Sequence, residues 1–292
     1  MQPLNQDRER FISPLSDYGF KVTFGNQTNS LFSRVAIQAL IGSPTPIKTL
    51  SFIQNEMPGL TKDSRGGIYD VFCTDEKNNQ FIVEMQLGVY PDFIQRMKFY
   101  ALYRLNTLIL KGKYKFKNLP RIYCIGILAH PIFPNISDYH NVAVLKNQHN
   151  ELIDEQTTFI TVELAKFDKP LHQITTDLDK LLYTMKMLEA APNTTQYPTF
   201  WNEKWLETAI KELDTRAMTP EQRMIYEMTL INNTKAVEEE QRKIEEAISE
   251  SKIAAIHKLL QQGKLSVEEI AEALEVPIRQ VVKEQKKLSS RK

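Results

Sequence analysis

The sequence predicts an α/β fold, a mixed β-sheet core flanked by helices and followed by an all-helical C-terminal region. Three observations carry this expectation. Two apolar, β-branched-rich segments, IYDVFC at 68–73 and FIVEMQ at 81–86, flank the polar stretch 75–79 and read as a hairpin. A long helical pattern then leads into a continuous apolar run at 122–128, as in a strand–helix–strand crossover between parallel strands. Beyond Pro192 no strand pattern recurs, and nearly every segment has helical spacing.

The elements follow in order. Residues 31–41 have helical spacing and end at Gly42, a good left-handed cap, with Pro44 and Pro46 beyond it. Residues 47–54 are short and apolar enough for a strand. In the hairpin, a three-residue loop between Asp75 and Asn79 places Asp70 directly opposite Glu84. A five-residue loop keeps that pairing, whereas a two-residue turn at Lys77-Asn78 sends the two carboxylates to opposite faces. Pro91 suits the first turn of a helix whose core stripe is Phe93, Met97, Ala101, Leu105 and Leu108. Residues 157–164 are a further strand candidate and 171–191 a further helix.

A linker-like break at 193–198 divides the chain into an expected domain at 1–192 and a helical region at 193–292. Residues 236–260 are dense in Glu, Lys and Arg, with Val237, Ile244, Ile248, Ile256 and Leu259 as a sparse apolar stripe. This reads as a solvated helix packing one narrow face, with a short coiled coil as the alternative. Ser266 and Glu269 form a capping box before Ile270, Ala271 and Leu274, and Glu275-Val276-Pro277 turns the chain into a last helix beginning with Ile278, Val281 and Val282. The unit at 263–288 therefore resembles a helix-turn-helix with a basic second helix. Arg279, Lys283, Lys286 and Lys287, leading into Arg291 and Lys292, stand there against the single Glu284. Lys283, Lys286 and Lys287 are candidate DNA contacts, a Lys-rich three-helix cap being the plainer alternative.

Composition bounds the function. A chain of 292 residues makes one large domain with an appendage or two modest ones, and 42% hydrophobic residues are ordinary for a globular protein. A net charge of +1 confines any nucleic-acid contact to local patches. One such patch is Lys111, Lys113, Lys115, Lys117 and Arg121, interleaved with Tyr114 and Phe116. Cys73 and Cys124 lie in apolar runs and read as free buried thiols, and the five histidines have no metal-like spacing. No apolar run approaches the roughly 18 residues of a membrane span, and the polar N-terminus is no signal peptide. A cytoplasmic protein with no membrane partner is expected.

Strand alternation puts Ile82, Glu84 and Gln86 on one face and Phe81, Val83, Met85 and Leu87 on the other. Directly opposed Cβ atoms lie about 4.5–5.5 Å apart, where like charges destabilise the pair. A hard divalent cation offsets that repulsion. The alternative is a hairpin whose acidic residues are simply solvated.

Asp70, followed after the turn by Glu84-Met85-Gln86, resembles the D…E-x-K core of the PD-(D/E)XK nucleases. The likeness is closer to the transposase-like branch of recombination-promoting nucleases, in which the final Lys is commonly Gln. Upstream, DYGFKVTFG at 17–25 is similar to that family's opening D-x-x-F-K-x-x-F-G element, and downstream DFIQRMKFY at 92–100 resembles its helix with Arg and Tyr four apart. The resemblance spans roughly residues 10–130. It implies a restriction-endonuclease-like fold and a metal-dependent DNA endonuclease, a hydrolase linked to recombination, mobile elements or defence. By the same resemblance Asp70, Glu84 and the Met85 carbonyl hold Mg²⁺ or Mn²⁺, an all-oxygen set that disfavours Zn²⁺. Gln86 orients the attacking water, and Lys21, Arg96 and Tyr100 support the phosphate. Asp17 is either part of that site or a turn and helix-cap residue. Because Gln86 brings no charge where the wider fold has Lys, a basic residue elsewhere supplies it, or the site is slower or silent. Two rival readings stand beside the nuclease: a catalytically silent DNA-binding or regulatory protein that keeps the fold, and C-terminal helices that pair two chains into a homodimer.

Overall fold

The computed structural model describes residues 10–53, 56–57, 67–68, 70–88, 92–108, 116–191 and 197–289. Helices α1 (Asp17–Phe24) and α2 (Leu31–Ile41) precede the strands β1 (Leu50–Phe52), β2 (Glu56–Met57), β3 (Gly67–Ile68), β4 (Val71–Asp75) and β5 (Gln80–Gln86). Helix α3 (Phe93–Leu108) leads to β6 (Ile122–Leu128), β7 (His140–Lys146) and β8 (Leu152–Glu163). The remainder is helical: α4 (Asp177–Met187), α5 (Lys204–Leu213), α6 (Pro220–Gln262), α7 (Val267–Ala273) and α8 (Ile278–Ser289).

Six strands form one mixed sheet in the order β1-β4-β5-β6-β8-β7. The β5–α3–β6 crossover joins parallel strands, as the apolar run at 122–128 predicts, and β8 extends the parallel part. β1 and β4 pair antiparallel on one side and β7 on the other. The hairpin takes the register of a three-residue loop, pairing Val71 with Val83 and Thr74 with Gln80. Its turn is pinned by Asp75, whose carboxylate accepts from Lys77 N (2.9 Å), Asn79 N (2.8 Å) and Asn79 Nδ2 (2.7 Å), while Asn78 takes φ 64°. Asn tolerates that left-handed conformation better than most side chains.

Other boundaries shift for local reasons. The strand expected at 68–73 is interrupted: β3 ends at Ile68 against Glu56, Asp70 sits in a bend, and β4 starts at Val71. The strand expected at 47–54 narrows to β1, and Gln54 lies outside the described residues. Only the second half of β8 was legible, since its first four residues are exposed and precede its pairing with β6; the half-exposed edge strand β7 has no clear apolar alternation to announce it. The helix expected at 171–191 begins late, because the Thr176–Asp179 capping box starts α4 after a short 3₁₀ turn at Leu171–Gln173.

Cα packing divides the chain into Met1–Arg223 and Met224–Lys292, some thirty residues past the expected break at 192. The intervening stretch belongs with the sheet's helices for physical reasons. The Trp201 indole donates to Thr184 Oγ1 (2.9 Å), and Trp205 stacks on Phe32 with centroids 5.9 Å apart. Asp214 pairs with Arg10, and Leu206, Ala209 and Leu213 are buried.

In the second unit the end of α6, α7 and α8 enclose a small core of Ile256, Ile270, Ala271 and Val281, bordered by Leu259, Leu274 and Val276. The expected capping box is present, with Glu269 N donating to Ser266 Oγ and Ser266 N to Glu269 Oε2. Of the apolar stripe of α6, Ile256 near the end is enclosed and Ile248 is exposed, while the side chains of Val237 and Ile244 lie outside the described residues. No helix among the described residues is long and apolar enough to cross a membrane.

One contact ties the sheet to α3. β6 passes beneath the helix at Gly126, where a Cβ would lie 2.4 Å from Phe93 Cζ, and that ring is itself buried. Gly126→Ala should therefore cost about 1–3 kcal/mol of stability through overpacking. Urea unfolding measures this, and Phe93→Leu should recover part of the loss. Strictly additive effects would mean that the ring is not the obstacle.

Candidate active site

The site begins with the backbone of β5. Gln80 N donates to Arg121 O and Ala129 N to Gln86 O, so the even residues of β5 bond to β6 and the odd ones face β4. Met85 therefore turns both its N–H and its carbonyl toward β4. The ladder's last pair is Val71 with Val83, and just beyond it the Asp70 Oδ2 accepts the Met85 N–H at 2.9 Å. In return Glu84 Oε1 accepts from Asp70 N at 3.2 Å. Each carboxylate thus takes a backbone donor from across the hairpin mouth. The Met85 carbonyl opens to the same side as its N–H, so three oxygen-bearing groups meet at the mouth of the hairpin.

Helix α3 covers Glu84. Phe93, Met97, Tyr100 and Ala101 pack on Phe72, Ile82, Ile122, Cys124 and Leu128. That packing leaves Glu84 2% exposed. From this helix Arg96 places Nη2 3.7 Å from Glu84 Oε2, and its guanidinium lies 5.6 Å from the Phe93 ring centroid. The Gln86 amide points at the same Glu84 oxygen from 3.5 Å. Tyr100 is only 6% exposed and belongs to the apolar cluster, so its burial suits a residue that steadies α3 better than one that touches a substrate. Arg104, although on the same helix face as Arg96, turns away to Gln80 Oε1 (3.1 Å) and the Phe72 ring.

Asp70 opens into a cleft of about 550 Å³ lined by Lys21, Gly25, Gln27, Phe52, Ile53, Val71 and Phe72. Lys21 stands on its wall with Nζ 2.7 Å from Asp17 Oδ1, one turn earlier in α1. Asp17 is not a cap, because Ser16 holds that position by accepting from Gly19 N. Gln27, Phe52 and Ile53 were not anticipated. Only the pairing of β1 with β4, extended by Ile53 N donating to Phe72 O, brings the last two to the site, and no motif marks any of them. Of the basic run, Lys111, Lys113 and Lys115 lie outside the described residues, and Arg121 is paired with Glu155. Lys283 and Lys286 are exposed on α8, and Lys287 bonds to the buried Glu284.

Burial dominates the electrostatics. It pushes the Asp70 carboxyl above its ordinary range despite the Met85 N–H bond and the nearby Lys21. It also pushes Glu84 up to about 8, helped by repulsion from Asp70 and opposed by Arg96. A buried and a half-buried carboxylate beside a peptide carbonyl are a donor set that fits a hard divalent cation. Among the described residues no group of three or more His, Cys, Asp or Glu could hold a metal. Water and substrate oxygens would have to complete the shell, which suits Mg²⁺.

Folded protein keeps a proton on Glu84 up to about pH 8, whereas the unfolded chain releases it near the ordinary 4.5. The native state then binds more protons between those limits, so metal-free stability should fall as pH rises through that window. Urea unfolding in EDTA at pH 5 and pH 8 should show a loss at least about 1 kcal/mol smaller for Glu84→Gln than for the wild type. Equal losses would contradict the burial argument.

Comparison with known proteins gives the family. No curated protein and no solved structure gives a significant match to this chain. The family described as PD-(D/E)XK nuclease family transposase matches residues 14–247, which takes in the whole sheet, both carboxylates and α3. The chain belongs to the PD-(D/E)XK nuclease family transposases.

Proposed function

We propose that this protein is a divalent-metal-dependent DNA endonuclease that hydrolyses phosphodiester bonds in the cleft beside Asp70. The observation that carries the reading is the crossed pair of Asp70 and Glu84. Two adjoining carboxylates, Glu84 enclosed and Asp70 at the edge of the cleft, both driven toward their neutral forms, destabilise a fold unless a ligand offsets them. Asp70 and Glu84 with the Met85 carbonyl would hold Mg²⁺ or Mn²⁺. When bound, the ion supplies a water of lowered pKa and neutralises charge on the scissile phosphate.

The chain's own residues do the rest. Arg96, beside Glu84, brings positive charge that Gln86 lacks. The Gln86 amide, already at the Glu84 carboxylate, orients the attacking water through a hydrogen bond. Lys21 can exchange Asp17 for a substrate phosphate across the cleft. Family membership supports a role linked to recombination, mobile elements or defence. The buried free thiols of Cys73 and Cys124 suit a reducing, cytoplasmic setting. The uncharged Gln86 is the one observation that favours a catalytically silent DNA-binding protein instead.

Nicking of supercoiled plasmid in Mg²⁺, Mn²⁺ or EDTA tests the proposal. Asp70→Asn and Glu84→Gln should each lose about 10²-fold or more of the activity while the protein stays folded, and EDTA should abolish it. Full nicking by Asp70→Asn would sink the assignment, and no nicking by the wild type under any metal would favour the silent reading.

A second assay isolates Gln86. Gln86→Ala should lose most of the activity and Gln86→Lys retain some, since Lys both orients and adds charge. Wild-type rates in Gln86→Ala would make the residue mere packing.

A further inference from the structure

We propose that the outer face of α8 is a separate contact for the phosphate backbone of duplex DNA, made by Arg279, Lys283 and Lys286. It rests on the nuclease reading for the identity of the ligand, but stands on different residues. At 100° per residue these three positions fall within roughly one-sixth of the helix circumference. All three are exposed, and none makes an ion pair among the described residues. Val281 and Glu284, on the opposite side of α8, are 0% and 3% exposed.

The orientation is fixed by Glu284. Its carboxylate is bonded to His257 Nε2 (2.9 Å) on α6 and to Lys287 Nζ (2.6 Å) on α8 itself. That bond to α6 holds the inner face of α8 in place. The bond from Lys287 to Glu284 draws that ammonium off the basic face, so the cluster read from sequence shrinks to three described residues.

Charge elsewhere in the unit narrows the partner. Glu268, Glu269, Glu272 and Glu275, on α7 and the turn after it, are exposed. A polyanion is therefore attracted by one face of α8 and not by the unit as a whole. The face has no apolar centre, and lysine is depleted from the cores of protein–protein interfaces, whereas DNA interfaces are strongly basic. A helix of twelve residues is about 18 Å long and can lie along a major groove about 12 Å wide.

The test uses the full chain carrying Asp70→Asn, so that DNA survives, and measures duplex binding by fluorescence anisotropy across a salt series. Adding Arg279→Gln, Lys283→Gln and Lys286→Gln should make log K against log salt shallower by about 2.7, since each lost duplex contact removes about 0.9. The substituted side chains are exposed, so thermal melting should not change. An unchanged slope overturns the proposal, as does a loss confined to single-stranded DNA or a change in oligomeric mass without a change in slope. The two readings fail separately. Plasmid nicking by the wild type with a slope indifferent to the three substitutions leaves the nuclease and removes this contact. A sensitive slope in a protein that never nicks does the reverse.

Discussion

The exchange of backbone donors between Asp70 and Glu84 is the constraint on which the rest of the site depends. Asp70 accepts the N–H of Met85 on β5 and Glu84 accepts the N–H of Asp70, so the two carboxylates are held across the hairpin mouth. The arrangement is a compromise. Burial and mutual repulsion oppose ionisation, and the backbone bonds and Arg96 oppose those in turn. What surrounds the pair follows from holding it: Gly126 lets the Phe93 ring settle against β6, and that packing seats α3 so that Arg96 reaches Glu84. A site assembled from one hairpin and one helix opens, among the described residues, where Asp70 meets the cleft.

Much of this was legible because the informative residues are close in sequence. Hairpin, crossover helix and parallel strand each carry a local pattern, and the Asp75 loop selects the register that the spacing left open. What was illegible depends on distant pairing. β7 is an edge strand with little to bury, and Phe52 and Ile53 join the cleft only through the partner strand β4. The break near Pro192 is a genuine change of composition. Aromatic contacts nevertheless return the chain to the first unit, and composition does not report where a tryptophan will dock.

Charge behaves differently in the two units. Beside Asp70, Glu84 is enclosed, and its partners do not offset burial and the neighbouring carboxylate, so its pKa stays raised. Glu284 is enclosed too, but two side-chain donors satisfy it and hold its pKa below the ordinary range. Burial of an acidic residue is thus no indicator of function by itself. The difference lies in whether the protein supplies the counter-charge.

The turn pinned by Asp75 has an evolutionary consequence. Its residues can drift as long as something fixes the bend, but its length is under a parity rule. One residue gained or lost would carry the second carboxylate to the far side of the sheet while leaving the hairpin foldable, so such a descendant would keep its shape and lose the carboxylate pair. Lineages descending from this chain should therefore accumulate substitutions in the loop freely and accept insertions there only in pairs.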